Sequence, residues 1–94
     1  MKVSLAIVIL MLLTACSKYE KRVDAFYYPD RINLSQFIEM LNVDSVEACR
    51  DWAYAQASKN GDAYMSVGDY ECGVNLMKDS SRYGGLRVYE KTVK

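Results

Sequence analysis

The hydrophobic and polar positions of the chain begin with one short apolar run. Residues 3–13 are apolar except for Ser4, and Lys2 stands before them. A helix needs about 20 apolar residues to cross a bilayer, so this run is too short to be a permanent anchor. A positive start followed by an apolar run of this length is typical of a secretory signal, which is removed from the mature protein.

A helical period follows in the middle of the chain. Asp44 can cap a helix, with Glu47 three residues later in a capping-box-like spacing, and Asn60-Gly61 supplies a stop. Between these signals an apolar stripe recurs at helical spacing, formed by Val46, Cys49, Ala53 and Ala57. The pattern predicts the main helix over about residues 45–58.

The period changes to two from Val67 onward. One apolar face alternates with polar positions and consists of Tyr70, Cys72, Val74 and Leu76, which predicts a strand with one buried face. A polar stretch containing Gly84-Gly85 permits a turn, and residues 86–93 then predict a second strand.

The region before the helix is less uniform. Residues 23–28 are rich in β-forming side chains and end at Pro29-Asp30, so we expect an edge strand or a first strand there. Residues 33–43 fit both a short helix and a strand, and the pattern leaves that choice open. The fold class predicted for the mature part is α+β, with one main helix on a small antiparallel sheet.

The residues after the apolar run carry a motif. Leu13-Thr14-Ala15-Cys16 resembles the bacterial lipobox, in which an aliphatic residue and two small ones precede a cysteine. The resemblance implies that diacylglycerol joins the Cys16 sulfur, that the chain is cut before Cys16, and that the new amino group is acylated. An ordinary secretory signal with an unrelated cysteine, or a cytosolic protein with an apolar start, fits fewer of these features.

The lipobox divides the chain into a signal peptide over 1–15, a lipidated tether over 16–22, and a small α+β domain over 23–94. Ser17 stands where an aspartate usually retains enterobacterial lipoproteins at the inner membrane, so the resemblance favours the outer membrane, facing the periplasm. The tether carries Lys18, Lys21 and Arg22, which suit either anionic head groups or an ordinary solvated linker.

The three cysteines of the chain divide unequally. With Cys16 assigned to lipid, Cys49 and Cys72 remain as an even pair in a compartment that permits disulfides. Structural zinc normally takes four ligands, and a nucleophilic cysteine needs a nearby base. The chain has no histidine, so a single Cys49–Cys72 disulfide is the preferred prediction over a metal site or a catalytic cysteine.

A second likeness covers most of the mature part. The chain resembles a group of short, uncharacterised proteobacterial proteins in the motifs Tyr28-Pro29-Asp30-Arg31 with Asn33-Leu34, Ser45-Val46-Glu47-Ala48-Cys49-Arg50, Asp69-Tyr70-Glu71-Cys72-Gly73 and Thr92-Val93-Lys94. In that group a second cysteine pair occurs where Leu76 and Tyr89 stand here. The resemblance implies that Leu76 faces Tyr89 across an antiparallel ladder. Val74 then faces Lys91, and Cys72 faces Val93.

Charge and composition limit the classes of function that the chain can have. The precursor has 12 basic and 12 acidic residues, so it lacks the basic excess that grips nucleic acid. Asp44, Glu47 and Asp51 cluster near the helix start, where acidic side chains favour the helix dipole, and we do not assign them to catalysis. We expect neither enzyme activity nor a cofactor or metal.

Aromatic residues offer the remaining candidate site. They could form a binding face or simply pack on the sheet, and they are Phe26, Tyr27, Tyr28, Tyr64, Tyr70, Tyr83 and Tyr89. The leading hypothesis is a lipid-anchored envelope module that binds an envelope protein, of an exclusion, receptor-masking or inhibitor type. The alternative is a structural role in envelope maintenance without a dedicated ligand.

Overall fold

A computed structural model describes residues 18–78 and 86–94. The described part contains β1 (Tyr19–Tyr28), β2 (Ile38–Val43), α1 (Val46–Lys59), β3 (Asp69–Met77) and β4 (Tyr89–Val93). The strands form one antiparallel sheet in the order β2-β1-β3-β4, and α1 packs on one of its faces. The predicted α+β architecture is therefore confirmed. Predictions for residues 1–15, Cys16 and Gly84-Gly85 lie outside the described residues.

β1 is the first strand along the chain, but it is a central strand of the sheet. It begins at Tyr19, before the predicted start at Val23, so residues 19–22 belong to the strand and not to the expected tether. Tyr19 pairs with Met77, and the Lys78 N–H donates to the Lys18 carbonyl at 3.0 Å. The charged sequence of residues 19–22 does not by itself predict a strand. These residues are extended because they pair with β3.

The sequence left residues 33–43 open between a helix and a strand. The second half of this stretch, Ile38–Val43, is strand β2. Met40 lies opposite Ala25 and Glu39 lies opposite Phe26. The register then shifts, because β2 carries a bulge at Asn42, whose φ is 57°.

α1 begins one residue later than predicted, and its N-cap is Ser45 rather than Asp44. The Ser45 hydroxyl accepts a hydrogen bond from the Ala48 N–H at 3.0 Å, so the capping residue is the second of two adjacent candidates. At the other end, the Asn60 N–H bonds back to helix carbonyls, and Gly61 adopts a left-handed φ of 75°.

The core lies between α1 and the two central strands. Cys49 and Cys72 are fully buried and joined by the predicted disulfide, with their Cα atoms 6.2 Å apart. Trp52 packs against this core as a half-buried side chain. The remaining core side chains are Ala25, Tyr27, Ala53, Ala57, Met65 and Tyr70. The disulfide thus fixes the helix to β3 within a small core.

The register of β3 and β4 is the predicted one. Leu76 pairs with Tyr89, Val74 with Lys91, and Cys72 with Val93. β4 itself starts at Tyr89, three residues after the expected start of the strand.

Candidate functional site

The face of the sheet opposite α1 is not covered by a helix in the described part of the chain. Asp24 and Phe26 alternate with the core residues Ala25 and Tyr27, so their side chains point away from α1. This face holds a groove of about 490 Å³, which we call the aromatic groove. It is lined by Phe26, Tyr28, Leu34, Phe37, Glu71, Arg87, Val88, Tyr89 and Thr92. Its volume falls within the range of ligand-binding clefts, about 300–1,000 Å³.

Four aromatic rings hold one another in the groove. The Phe26 ring centroid lies 6.1 Å from that of Phe37 and 5.9 Å from that of Tyr89, both in edge-to-face geometry. The Tyr28 ring lies 6.0 Å from Phe37. Such contacts add about 0.5–1.5 kcal/mol each beyond area burial, so each ring helps to hold its neighbours in place.

Tyr89 lies in the groove because Gly73 has no side chain. A Cβ atom added at Gly73 would be 2.8 Å from the Tyr89 ring. In this position the Tyr89 hydroxyl donates to an Asp24 oxygen at 2.6 Å. The absence of a side chain at Gly73 therefore lets the Tyr89 ring cross β3 and reach β1.

Asp24 is a buried carboxylate with a complete set of donors. Arg22 donates to it at 2.8 Å, the Asn42 N–H at 2.8 Å, and Tyr89 from the groove. Burial alone would raise the pKa of the Asp24 carboxyl, but these hydrogen bonds outweigh it and hold the pKa below its ordinary value. Asp24 therefore stays ionised, and it links β1, the bulge of β2 and β4.

The two tyrosine hydroxyl groups of the groove both donate hydrogen bonds to carboxylates. The Tyr28 hydroxyl donates to a Glu71 oxygen at 2.5 Å. Burial, followed by the neighbouring carboxylate, raises the hydroxyl pKa of Tyr28 and likewise of Tyr89, which faces Asp24. Neither hydroxyl is a candidate base near neutral pH.

An ion pair closes one side of the groove. Arg87 pairs with Glu39 of β2, and its guanidinium carbon lies 5.9 Å from the centre of the Phe26 ring. A cation over an aromatic face is an attractive contact. Arg87 thus connects the segment before β4 with the opposite edge of the sheet.

The groove continues into an exposed apolar stretch, residues 32–41, which we call the exposed segment. All of these residues are exposed, and Leu34 and Phe37 also line the groove. Its large apolar side chains are Ile32, Leu34, Phe37, Ile38, Met40 and Leu41, with exposed fractions from 90% at Ile32 to 39% at Leu41. Ile38 and Met40 pair with core residues of β1, so they lie on the α1 face of the sheet and not in the groove.

The structure divides the predicted aromatic face into two sets. Phe26, Tyr28 and Tyr89 meet in the groove, whereas Tyr27 and Tyr70 belong to the core under α1. Tyr64 stands apart on an exposed turn, and Tyr83 lies outside the described residues.

Six of the nine groove residues were missed by sequence reasoning, and two of them, Phe37 and Arg87, contact the aromatic cluster. Phe37 lies just before β2, in the stretch whose period was ambiguous, and Arg87 had no sequence signal at all. Both reach the groove through pairings between distant strands.

The acidic cluster at the helix start is exposed and separate from the groove. Asp44, Glu47 and Asp51 are all exposed. Within residues 18–78 and 86–94, no group of three histidine, cysteine or acidic side chains could hold a metal ion. No helix in the same residues is long and apolar enough to cross a membrane. Comparison of the chain with protein families, with curated proteins and with solved structures finds no match.

Proposed function

We propose that this chain is the precursor of an envelope lipoprotein that binds another protein without catalysing a reaction. The chain is cut before Cys16, lipid on Cys16 holds it at the outer membrane facing the periplasm, and the α+β domain carries the binding surface. The charge, apolar run and lipobox of residues 1–16 support the anchor. Several acyl chains on one cysteine make such attachment stable.

The aromatic groove beside the exposed segment is the observation that carries the binding role. Rigid aromatic side chains and arginine are the residue types that contribute most to protein interfaces, and Tyr28, Tyr89 and Arg87 stand together here. Because contacts with neighbouring aromatic rings and carboxylates already hold these side chains, less side-chain entropy is lost on binding. Two apolar residues of the exposed segment, Leu34 and Phe37, are part of this surface.

The anchor is tested by replacing the cysteine. We expect Cys16→Ser to abolish incorporation of a palmitate analogue and to leave the uncut precursor in the membrane fraction. Ser17→Ala is the matched control, because it changes the neighbouring residue and keeps the thiol. Undiminished label on Cys16→Ser would refute the lipid assignment.

The binding surface is tested by photo-crosslinking in intact cells. A photoreactive amino acid replaces Leu34 in the groove or, as a control, Lys59 on the exposed end of α1. We expect a discrete crosslinked protein from position 34 only, and loss of that product when Phe37→Ala is added. The same products from both positions, or none from position 34, would favour a structural envelope role over a binding role.

A further inference from the structure

The aromatic groove contains two arrangements of a carboxylate with aromatic rings. In the first, Arg87 pairs with the Glu39 carboxylate, and its guanidinium carbon lies 5.9 Å from the centre of the Phe26 ring. In the second, the Glu71 carboxylate accepts the Tyr28 hydroxyl at 2.5 Å, and the Tyr28 ring lies 6.0 Å from that of Phe37. Among the described residues, no lysine or arginine completes this second arrangement.

The other carboxylates around the groove are each joined to a cation. The pairs are Asp24 with Arg22, Glu39 with Arg87, and Asp69 with Lys94. Glu71 differs, because its side chain receives a hydrogen bond only from the uncharged hydroxyl of Tyr28 within residues 18–78 and 86–94. Its negative charge is therefore not neutralised by an ion pair in that part of the chain.

Further charged residues on neighbouring segments offset one another. Arg31 acts electrostatically on the carboxylate of Asp62, which lowers the pKa of that carboxyl. On β4, Glu90 and Lys91 are neighbours in the sequence and carry opposite charges. These residues leave the charge of Glu71 uncompensated in the described part of the chain.

The Glu71 carboxylate lies in an open part of the groove. Its side chain is half-buried, and Phe37, whose ring contacts Tyr28, is 47% exposed. Leu34 is 54% exposed and lines the same groove. An incoming side chain can therefore reach a carboxylate, an aromatic ring and an apolar side chain through one opening.

We infer that the aromatic groove receives an arginine side chain of the partner protein, whose guanidinium pairs with Glu71 and lies against the Tyr28 and Phe37 rings. This inference rests on the proposed binding function and names its partner chemistry. A planar guanidinium donates to a carboxylate and stacks on an aromatic face at the same time, whereas an ammonium group is a compact point charge. Arg87 makes the same combination of contacts within this chain.

The first test uses the full lipidated protein in detergent micelles and a displayed library of short random peptides. We expect selection to enrich arginine next to an apolar residue, because Glu71 and the exposed side chain of Leu34 line one groove. A selected peptide is then made with arginine or with citrulline, which keeps the shape of the side chain and removes its charge. The citrulline form should bind at least about tenfold more weakly.

A variant of the protein identifies the other side of this contact. Glu71→Gln should weaken binding of the arginine peptide by at least about tenfold and affect the citrulline peptide much less, because the lost attraction needs both charges. Glu90→Gln is the matched control, because Glu90 lies on the neighbouring strand β4 and does not line the groove. Binding of the arginine peptide should also weaken as salt is raised.

The outcomes separate this inference from the proposed function. No enrichment of arginine, equal binding of the two peptides, or an equal effect of Glu71→Gln on both would overturn the arginine contact. Spermidine that matches the peptide in affinity and in dependence on Glu71 would overturn it as well, because the occupant would then be a free polyamine.

The crosslinking experiment in cells then decides the fate of the binding role. If the crosslink from position 34 still forms although the arginine contact has been overturned, protein binding stands and the groove recognises its partner through other chemistry. If that crosslink is absent as well, both proposals fail.

Discussion

Replacement of Gly73 by alanine is expected to disturb the aromatic groove from beneath. The new Cβ would lie 2.8 Å from the Tyr89 ring, closer than nonbonded carbon atoms approach. The ring can stay and be strained, or it can move and lose the 2.6 Å hydrogen bond from its hydroxyl to Asp24. Since Gly73 pairs with Asp24 on β1 and Thr92 on β4, the backbone has little room to yield.

The expected loss of stability follows from these two alternatives for the Tyr89 ring. Overpacking costs about 1–3 kcal/mol, and loss of a hydrogen bond to a charged group costs about 1.5–3 kcal/mol. The alanine restricts the unfolded chain and returns about 0.4–1 kcal/mol. We therefore expect Gly73→Ala to lower the free energy of unfolding by about 1–1.5 kcal/mol at the midpoint of these ranges, and by no more than about 2.6 kcal/mol.

Denaturant unfolding of four proteins tests this account as a double-mutant cycle. In a Tyr89→Ala background the ring is absent, so Gly73→Ala should be neutral or slightly stabilising. The coupling between the two changes should then be about 2 kcal/mol. An equal loss of stability from Gly73→Ala in both backgrounds would show that the ring is not the cause, and the structural reasoning would be wrong.

Three further predictions concern stability. Replacing Cys49 and Cys72 together by alanine should lower the free energy of unfolding by about 3 kcal/mol, and free alkylation of both thiols in the untreated protein would contradict the bond. Because the folded pKa of Asp24 is depressed, its contribution is present above about pH 4 and is lost as pH falls. Asp24→Asn should therefore flatten the acid side of a stability profile, and an unchanged acid slope would count against it. Because the folded pKa of Tyr28 is raised, stability is lost above about pH 10, and Tyr28→Phe should reduce that loss in the same profiles.

The helix and the disulfide could be predicted because their signals are local or countable. The apolar stripe at Cys49, Ala53 and Ala57 gave the buried face of α1. The predicted N-cap was wrong by one residue because Asp44 and Ser45 are both good N-cap residues. The choice between them depends on where the backbone first takes helical dihedral angles, which the local sequence does not specify. The register of β3 and β4 came from the resemblance, not from the periodicity.

The aromatic groove could not be predicted, because it depends on pairings between distant parts of the chain. β1 reads as an edge or first strand, since its charged start hides its pairing with Met77. Asp24 looks like an ordinary surface acid until Arg22, Asn42 and Tyr89 converge on it. Alternation assigns residues to faces, but it does not reveal that Gly73 admits a ring from the neighbouring strand.

The central position of β1 also determines how the domain would carry a mechanical load. β1 is the strand nearest to Cys16 in the chain, and it is hydrogen-bonded on both sides, to β2 and to β3. A pull on the proposed anchor along this strand would load its two ladders in shear, so many hydrogen bonds would resist together. A short chain could in this way join a membrane to a partner without stretching its own core.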